Sequence, residues 1–264
     1  ILNMLLQSPL SKNIDLSNLK MIIGGSAMPK SLAKLASERG INIFSAYGLS
    51  ETCPFLTVAD IPFENNHLND DEIIDLRCKT GKAAPFVELK VVDSEMNEIA
   101  KDGKSTGEVV VRAPWLTQGY VKNSEASDEL WRNGYLHTGD VGYIDKNGSL
   151  QITDRMKDVI KSGGEWISSL ELEDIILKCK GIKEVAVIGI PDEKWGERPI
   201  IIVSCDEGIN TDQLEKNIEN SLDDKIKAGK LNKWAKPDRI EYVNEIKKTS
   251  VGKIDKKSLR LQFA

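Results

Sequence analysis

Paired cysteines, clustered histidines and long apolar runs are all missing from this sequence of 264 residues. Its four cysteines are widely spaced and form no CxxC pair, so neither a zinc site nor a disulfide framework is indicated. The two histidines, His67 and His137, lack metal-ligand spacing, and we expect both to be structural. No apolar run approaches the length of a transmembrane segment, and no signal peptide is visible. These absences favour a cytoplasmic protein in a reducing compartment, with peripheral association at a membrane left open.

The overall composition is that of an ordinary globular protein. Hydrophobic residues make up 40% and charged residues 29%, which is enough material for a core. The formal net charge of −5 argues against a general nucleic-acid-binding protein. The length allows one large or two medium domains. The chain opens on Ile1 in a pattern typical of the middle of a helix, so we expect a fragment of a longer protein.

The first part of the chain alternates strand-like and helix-like patterns. Apolar runs at 19–23 and 41–45 predict two buried strands. Between them, the pattern predicts a helix that starts near Pro29, runs to about Glu38 and stops at Gly40. The order strand, helix, strand is typical of an α/β fold.

A polar hexapeptide at 47–52 follows the second predicted strand. Loops at the carboxyl ends of parallel strands are where α/β folds bind ligands. Ser50, Glu51 and Thr52 in such a loop suit a phosphate and Mg²⁺. The alternative is a plain turn in which Ser50 caps a helix.

Period-two alternation replaces this pattern from about residue 80 to 153 and predicts a small antiparallel sheet or barrel. Strands are expected at 87–91, 108–112, 141–144 and 150–153, with the sequence at 145–148 forming a hairpin turn. Asp140 follows Gly139 at an expected strand start, where a carboxylate can accept two hydroxyl donors from a sugar. Because Gly-Asp is also a common turn, this signal alone is weak.

Charge and glycine are concentrated at 152–173. Arg155, Lys157 and Lys161 can meet phosphate or ribose oxygens, and Gly163-Gly164 permits positive φ and close backbone approach to a ligand. The alternative is a solvated hairpin that leads into a surface helix, since charge runs usually face water.

The remaining residues predict an α+β domain. Ser168-x-x-Glu171 is a capping box, so we expect a helix there that runs to Gly181. Gly252-Lys253 lies in an expected exposed loop and is not a Walker motif. The further predicted elements are strands at 185–190, 200–205 and 237–243, and helices at 211–227 and 255–263.

The order of these motifs resembles that of the adenylate-forming, or AMP-binding, superfamily. The similarity is greatest to medium- and long-chain fatty-acyl-CoA synthetases, especially at 161–169. The motifs that carry the resemblance lie at 24–29, 47–52, 137–140, 154–158 with Gly163-Gly164, and Gly252-Lys253. The family's Ser/Thr/Gly-rich phosphate loop is absent, as is most of its large amino-terminal domain. A smaller departure is Asp154, where many relatives have Gly.

The resemblance implies an α/β remnant and a small antiparallel β-barrel, followed by an α+β carboxyl-terminal lid. The corresponding ranges are 1–75 and 76–154 for the end of the large domain, and 155–264 for the lid. It implies that ATP and a fatty acid form an acyl-adenylate, which CoA then converts to the thioester, with Mg²⁺ as cofactor. Without the phosphate loop, we expect residues 1–264 alone to be inactive in adenylation. A homo-oligomer of the full-length protein is left open.

The resemblance also implies a role for each matching residue. Lys253 matches the lysine that bridges carboxylate and α-phosphate, and Lys157 matches the hinge of the lid. The other matches are Ser50 for phosphate, Glu51 for Mg²⁺, Asp140 and Arg155 for the ribose hydroxyls, Gly24, Ser26, Tyr47 and Gly48 around adenine and the acyl group, and Lys161, Gly163 and Gly164 at the nucleotide and pantetheine.

Two alternatives stay open. The acceptor could be the thiol of a carrier protein instead of CoA, although the Trp166-bearing loop favours CoA. The chain could also be a non-catalytic module that only binds a nucleotide or CoA.

Overall fold

A computed structural model describes residues 1–59, 68–249 and 252–263. It divides the chain into two compact units, Ile1–Ile152 and Thr153–Ala264, where the sequence predicted a boundary after residue 154. His67 lies outside the described residues, as do residues 250 and 251, directly before the predicted Gly252-Lys253 loop. None of the helices in the described ranges is long and apolar enough to cross a membrane.

The helices of the described residues are α1 (Leu2–Gln7), α2 (Lys30–Glu38), α3 (Asp70–Arg77), α4 (Ser124–Leu130), α5 (Ser169–Ile176), α6 (Thr211–Lys227) and α7 (Lys256–Phe263). The strands are β1 (Lys20–Ile23), β2 (Asn42–Tyr47), β3 (Thr57–Val58), β4 (Lys82–Ala83), β5 (Glu88–Val92), β6 (Gly107–Arg112), β7 (Trp131–Arg132), β8 (Tyr135–Ile144), β9 (Leu150–Arg155), β10 (Ile160–Ser162), β11 (Glu165–Ile167), β12 (Ile182–Asp192), β13 (Gly196–Cys205) and β14 (Arg239–Tyr242).

The first unit begins with a four-stranded sheet in the order β1-β2-β3-β4, in which β1 and β2 are parallel. Ile41 and Ile43 are fully buried against Ala33 and Ala36 of α2, which explains the strand–helix–strand pattern. The expectation of a fully buried first strand is wrong. Ile22 is 68% exposed, because β1 is the edge strand and its side chains alternate between two faces.

The second sheet of this unit is antiparallel, in the order β5-β6-β8-β7, with β9 paired to β8. Its core contains Val109, Val111 and Leu136, which are all fully buried. The Asp145 carboxylate accepts the backbone N–H groups of Asn147 at 2.8 Å and Ser149 at 3.0 Å, which closes the predicted hairpin turn. The antiparallel β subdomain is therefore confirmed.

The second unit is α+β, as predicted. Its sheet has the order β11-β10-β13-β12, and β14 is parallel to β13. Alternate residues of β12 and β13 face two different apolar clusters. One contains residues of α5 and α6, and the other contains Leu259 of α7.

The predicted end of the helix after the capping box is wrong. Ser168 caps α5 by accepting the Glu171 backbone N–H at 3.1 Å, but α5 ends at Ile176 and not at Gly181. Beyond that point Leu177 is 50% exposed, and the chain turns toward the start of β12. The Cys179 N–H bonds to the Ile176 carbonyl at 2.9 Å and the Ile182 N–H to the Cys179 carbonyl at 3.4 Å, so tighter turns replace the helix after Ile176.

Leu172 tests how much the core of the second unit depends on α5. It is fully buried, so Leu172→Ala should lower the free energy of unfolding of this unit by about 2–5 kcal/mol. Leu170 is on the same helix and is 45% exposed. Leu170→Ala should therefore change the free energy of unfolding by less than about 0.5 kcal/mol. Urea unfolding of the whole chain, read by hydrogen exchange in residues 153–264, measures both. Equal effects of the two substitutions would contradict this description of α5.

Candidate functional site

The first group of predicted site residues lies where β1 and β2 end. The two strands are parallel and in register from Lys20–Asn42 to Ile23–Ser45, so the segments after Ile23 and Tyr47 emerge at one edge of the sheet. A Cβ on Gly24 would lie 2.9 Å from the carbonyl oxygen of Ala46, which shows how closely these segments approach. Gly24 is therefore a near neighbour of Ala46, which precedes Tyr47, and Ser26 is exposed two residues after Gly24.

Gly48 permits a tight turn after β2. A Cβ at this position would lie 1.6 Å from the carbonyl oxygen of Pro54, so no other residue fits without a backbone shift. The turn continues as a short 3₁₀ helix at Ser50–Thr52. Its start is fixed by Thr52, whose hydroxyl accepts the Leu49 N–H at 2.8 Å and donates to the Leu49 carbonyl at 3.0 Å.

This geometry corrects one expectation for the hexapeptide. Thr52 is fully buried and its hydroxyl is engaged within the turn, so it does not face a ligand. Ser50 is exposed and Glu51 is half-buried. Only these two polar side chains of the predicted trio remain at the surface of the loop.

Asp140 lies within β8 and not at its start, which corrects the expected position. The pairing of β6 with β8 is irregular here, because the register shifts between Glu108 and Val110. Gly139 has a φ of +67° inside this bulge. The Thr138 hydroxyl donates to the Val109 carbonyl at 2.7 Å and accepts the Asp140 N–H at 3.1 Å. The bulge thereby fixes the direction of the Asp140 backbone.

A hydrogen bond joins this bulge to the end of β2. The Tyr47 hydroxyl donates to Asp140 Oδ2 at 2.7 Å, and the Asp140 residue is only 4% exposed. A carboxylate accepts several hydrogen bonds at once, so this bond from Tyr47 is compatible with further donors. Tyr47 and Asp140, which were predicted separately, therefore belong to one site.

Glu51 has a partner that sequence reasoning missed. The Tyr120 hydroxyl donates to Glu51 Oε1 at 2.8 Å, and the Glu51 backbone carbonyl accepts the Thr117 N–H at 2.9 Å. The hydrogen bond to Glu51 raises the pKa of the Tyr120 phenol above its ordinary value. The only sequence signal for Tyr120 was a tyrosine next to a single glycine, Gly119, which is too common to single out.

The donor set around Glu51 fits Mg²⁺ that is shared with a substrate. In the described part of the chain, no group of three or more His, Cys, Asp or Glu side chains could hold a metal ion alone. Mg²⁺ typically takes one or two protein carboxylates and completes its shell with water and substrate phosphates. One carboxylate, next to the exposed hydroxyl of Ser50, is consistent with that arrangement.

His137 and Glu108 lie beside the same bulge. His137 Nδ1 is 2.9 Å from Glu108 Oε2 and 3.2 Å from a guanidinium nitrogen of Arg132. The other carboxylate oxygen of Glu108 accepts the Gly139 N–H at 3.3 Å. These contacts support the backbone around Asp140, which is what a structural histidine would do.

The predicted glycine loop of the second unit connects β10 and β11. Gly163 and Gly164 have φ values of +61° and +84°, as the Gly pair predicted. A Cβ on Gly163 would lie 3.2 Å from the Trp234 ring. Lys161 precedes this loop, with its Nζ 5.6 Å from the centre of the Trp166 ring.

The other basic residues that the sequence predicted for the site in this unit are exposed. Arg155 and Lys157 lie at the end of β9 and in the turn that follows it. Lys253 lies directly after Gly252, whose φ is +78°, and its carbonyl accepts the Thr249 N–H at 2.7 Å. Its ammonium group is on the surface, where a ligand can reach it.

Comparison with known proteins identifies this architecture as that of the adenylate-forming enzymes. The AMP-binding enzyme model matches residues 1–121, and the AMP-binding enzyme C-terminal domain model matches residues 171–253. Together they account for most of the chain. The chain belongs to the family of AMP-binding enzymes.

Similar curated proteins include two fatty-acid ligases. The chain is 39% identical over 246 residues to the long-chain-fatty-acid–CoA ligase of Thermus thermophilus, which covers 92% of this chain and 44% of the relative. It is 35% identical to the medium-chain-fatty-acid–CoA ligase of Ectopseudomonas oleovorans, over 92% of this chain and 43% of that protein. The chain thus spans less than half the length of these relatives.

Solved structures give the same family. An amide bond synthetase from Marinactinospora thermotolerans matches with a TM-score of 0.79 and 28% identity, over 99% of this chain and 50% of that one. A fatty acyl CoA synthetase of Mycobacterium tuberculosis matches with a TM-score of 0.59 and 32% identity, over 99% and 48%.

Gly48 provides a test of the loop that carries Ser50 and Glu51. Gly48→Ala should displace this loop, because the new methyl group collides with the Pro54 carbonyl. Hydrogen exchange of the Leu49, Thr52 and Leu56 amides, which are bonded within the loop or to Tyr47, should become faster. The control is Gly148→Ala, which strains a turn with φ +78° but meets no atom within 4 Å. If the two variants leave these three amides equally protected, the close approach at Gly48 does not shape the loop.

Proposed function

We propose that this chain is the carboxyl-terminal part of an ATP-dependent acyl-CoA synthetase. The full-length enzyme would activate a fatty or other carboxylic acid as acyl-AMP and transfer the acyl group to CoA. The observation that carries the proposal is the Tyr47–Asp140 pair, which lies in the same unit as the Ser50–Glu51 turn. The names of the fatty-acid–CoA ligases among the relatives support the choice of acid and acceptor.

The chemistry explains why these residue types are required. A carboxylate is a poor electrophile, and attachment of AMP converts it into a mixed anhydride with a good leaving group. Adenylation develops negative charge at the α-phosphate, so cations and hydroxyl donors must be positioned there in advance. The CoA thiol then displaces AMP and forms the thioester.

In the first unit, Asp140 would accept the ribose hydroxyls while its bond from Tyr47 holds the carboxylate in orientation. Gly24, Ser26 and Gly48 would border the adenine and the acyl group. Ser50 would donate to a phosphate oxygen, and Glu51 would hold Mg²⁺ together with phosphate and water, with Tyr120 fixing its carboxylate.

In the second unit, Lys253 would bridge the acid carboxylate and the α-phosphate. Arg155 would add a contact to the ribose, and Lys157 would be the hinge about which the lid rotates between the two half-reactions. Lys161, Gly163 and Gly164 would contact the nucleotide and the pantetheine arm. The positive φ values of the two glycines favour close approach of a ligand to the backbone there.

A different acceptor is the main alternative. One similar solved structure is an amide bond synthetase, so an adenylate made on this fold can be passed to acceptors other than CoA. The thiol of a carrier protein would be another such acceptor. Replacing CoA by a carrier protein or an amine, with the same acid and ATP, separates these acceptors. A module that binds a nucleotide or CoA without catalysis would support no transfer at all.

The chain alone should not make acyl-adenylate, because it lacks the Ser/Thr/Gly-rich loop that surrounds the triphosphate in this family. Pyrophosphate release should be measured with C8 to C16 fatty acids, ATP and Mg²⁺ at micromolar protein. We expect none above background. A turnover of roughly 1 s⁻¹ or more, which is ordinary for enzymes, would show that these residues suffice.

Lys253→Ala in the full-length enzyme tests the proposed function itself. Loss of one preorganised donor at a developing charge typically lowers the rate by about 10²–10³. Adenylation should fall by that factor, whereas thioester formation from supplied acyl-AMP and CoA should change little. Lys257→Ala, which removes an exposed lysine four residues away, is the matched control.

Both half-reactions should be measured on the same preparation, with folding checked by circular dichroism. An equal fall in both, with the fold unchanged, would reject the assigned role of Lys253. If neither rate falls, the role that the resemblance to the family assigns to Lys253 is wrong.

A further inference from the structure

Four polar side chains form a buried network in the second unit. We call Asp154, Ser169, Glu173 and Lys256 the Lys256 network. Asp154 is 1% exposed, Ser169 is fully buried, and Lys256 is 9% exposed. Lys256 Nζ donates to Ser169 Oγ at 2.6 Å and lies 2.7 Å from Glu173 Oε1. Ser169 Oγ donates in turn to Asp154 Oδ2 at 2.7 Å.

The network also engages the backbone at three places. Asp154 Oδ2 accepts the Ser169 N–H at 2.6 Å, and Asp154 Oδ1 accepts the Arg155 N–H at 2.7 Å. Glu173 Oε1 accepts the Val187 N–H at 2.8 Å. The end of β9, the first turns of α5, the middle of β12 and the start of α7 are therefore held by one set of hydrogen bonds.

Charged side chains such as those of Glu173 and Lys256 are costly to bury, so their presence in the interior calls for an explanation. Burial raises the pKa of Glu173, although the Lys256 ammonium opposes that shift. A buried ion pair is weak evidence for stability, because apolar residues of similar volume often serve equally well. A buried ammonium group does restrict where its own backbone can lie, because leaving the charge buried and unpaired is costly.

The backbone position that is fixed by the contacts of Lys256 is close to Lys253. Lys256 is the first residue of α7, only three residues after Lys253. Three residues span at most about 10 Å, so the anchor limits how far Lys253 can move. The Asp255 carboxylate, between them, accepts the Ser258 N–H at 3.1 Å and the Ser258 hydroxyl at 2.7 Å, which fixes the first turn of α7.

The opposite side of the Lys253 loop is anchored as well. The Asp255 N–H donates to the Lys247 carbonyl at 2.9 Å, and Lys248 pairs as an isolated bridge with Ile254. Lys248 also forms an ion pair with Glu184 of β12. Lys253 is exposed, yet both flanks of its loop are tied to the body of the unit.

We propose that Lys256 is a positioning residue for Lys253. Its buried ion pair with Glu173 and hydrogen bond to Ser169 set where the Lys253 backbone lies, and thereby where its ammonium group meets the acid and the α-phosphate. Asp154 completes the anchor by holding Ser169. This role rests on the proposed function, because it assigns Lys256 to the adenylation half-reaction.

The first test is Lys256→Met in the full-length enzyme, which keeps the length of the side chain and removes its charge. Displacement of a catalytic group by about 1 Å can cost roughly 10²-fold. Adenylation should fall by about 10- to 100-fold, and thioester formation from acyl-AMP and CoA should stay within about twofold. Lys257→Met, at the exposed neighbouring lysine, should leave both unchanged.

A second variant covers the case in which the unpaired Glu173 prevents folding. Lys256→Met combined with Glu173→Gln removes both charges of the buried ion pair, and such a replacement is often tolerated. Asp154 keeps its hydrogen bonds from Ser169 and from the Arg155 N–H. The amide of the glutamine can still accept the Val187 N–H. This double variant should fold and show the same selective loss of adenylation.

A double-mutant cycle with Lys253→Ala separates positioning from general destabilisation. If Lys256 acts through Lys253, Lys256→Met should have little further effect on adenylation once Lys253 is Ala. Multiplicative losses, an equal fall in both half-reactions, or no effect of Lys256→Met would each overturn the positioning role. Failure of the proposed function is distinguishable, because then Lys253→Ala alone would leave adenylation intact.

Discussion

The hydrogen bond between Tyr47 and Asp140 is the interaction on which the first unit's site depends. Its two residues are 93 positions apart in the sequence. It joins the end of β2 in one sheet to the middle of the antiparallel strand β8 in another. Two local features make it available: the tight turn at Gly48 and the bulge around Gly139. Asp140 can present a fixed carboxylate because the bulge holds its backbone and Tyr47 holds its side chain.

The constraint in the second unit is different: the exposed side chain of Lys253 has to be held in a defined position. Long lysine side chains lose much rotamer freedom when they are ordered, so a catalytic lysine gains from a backbone that is fixed beforehand. The sheet of β12 and β13 provides the rigid body, since its residues are buried on both faces. The Lys256 network then ties the start of α7, and with it the loop of Lys253, to that body.

Local signals in the sequence predicted what is local in the structure. The Asp145 turn, the Ser168 cap and the bounds of α6 depend on neighbouring residues, and the structure has all three. The expectations that failed depend on tertiary context: the exposure of Ile22, the early end of α5, the position of Asp140 within β8 and the burial of Thr52. The Lys256 network was not predicted because Glu173 and Lys256 occur in charged runs that usually face solvent. Asp154, a departure from the glycine of many relatives, is explained by its bonds to Ser169.

The central claim is that Asp140, held by Tyr47, accepts the ribose hydroxyls of a nucleotide. Calorimetric titration of the full-length protein with AMP, 2′-deoxy-AMP and 3′-deoxy-AMP tests it most directly. A hydrogen bond to a charged group contributes about 1.5–3 kcal/mol, so AMP should bind at least about tenfold more tightly than a deoxy analogue. Asp140→Asn should reduce that preference while the protein remains folded. Equal affinities of the wild-type protein for AMP and both deoxy analogues would contradict the account.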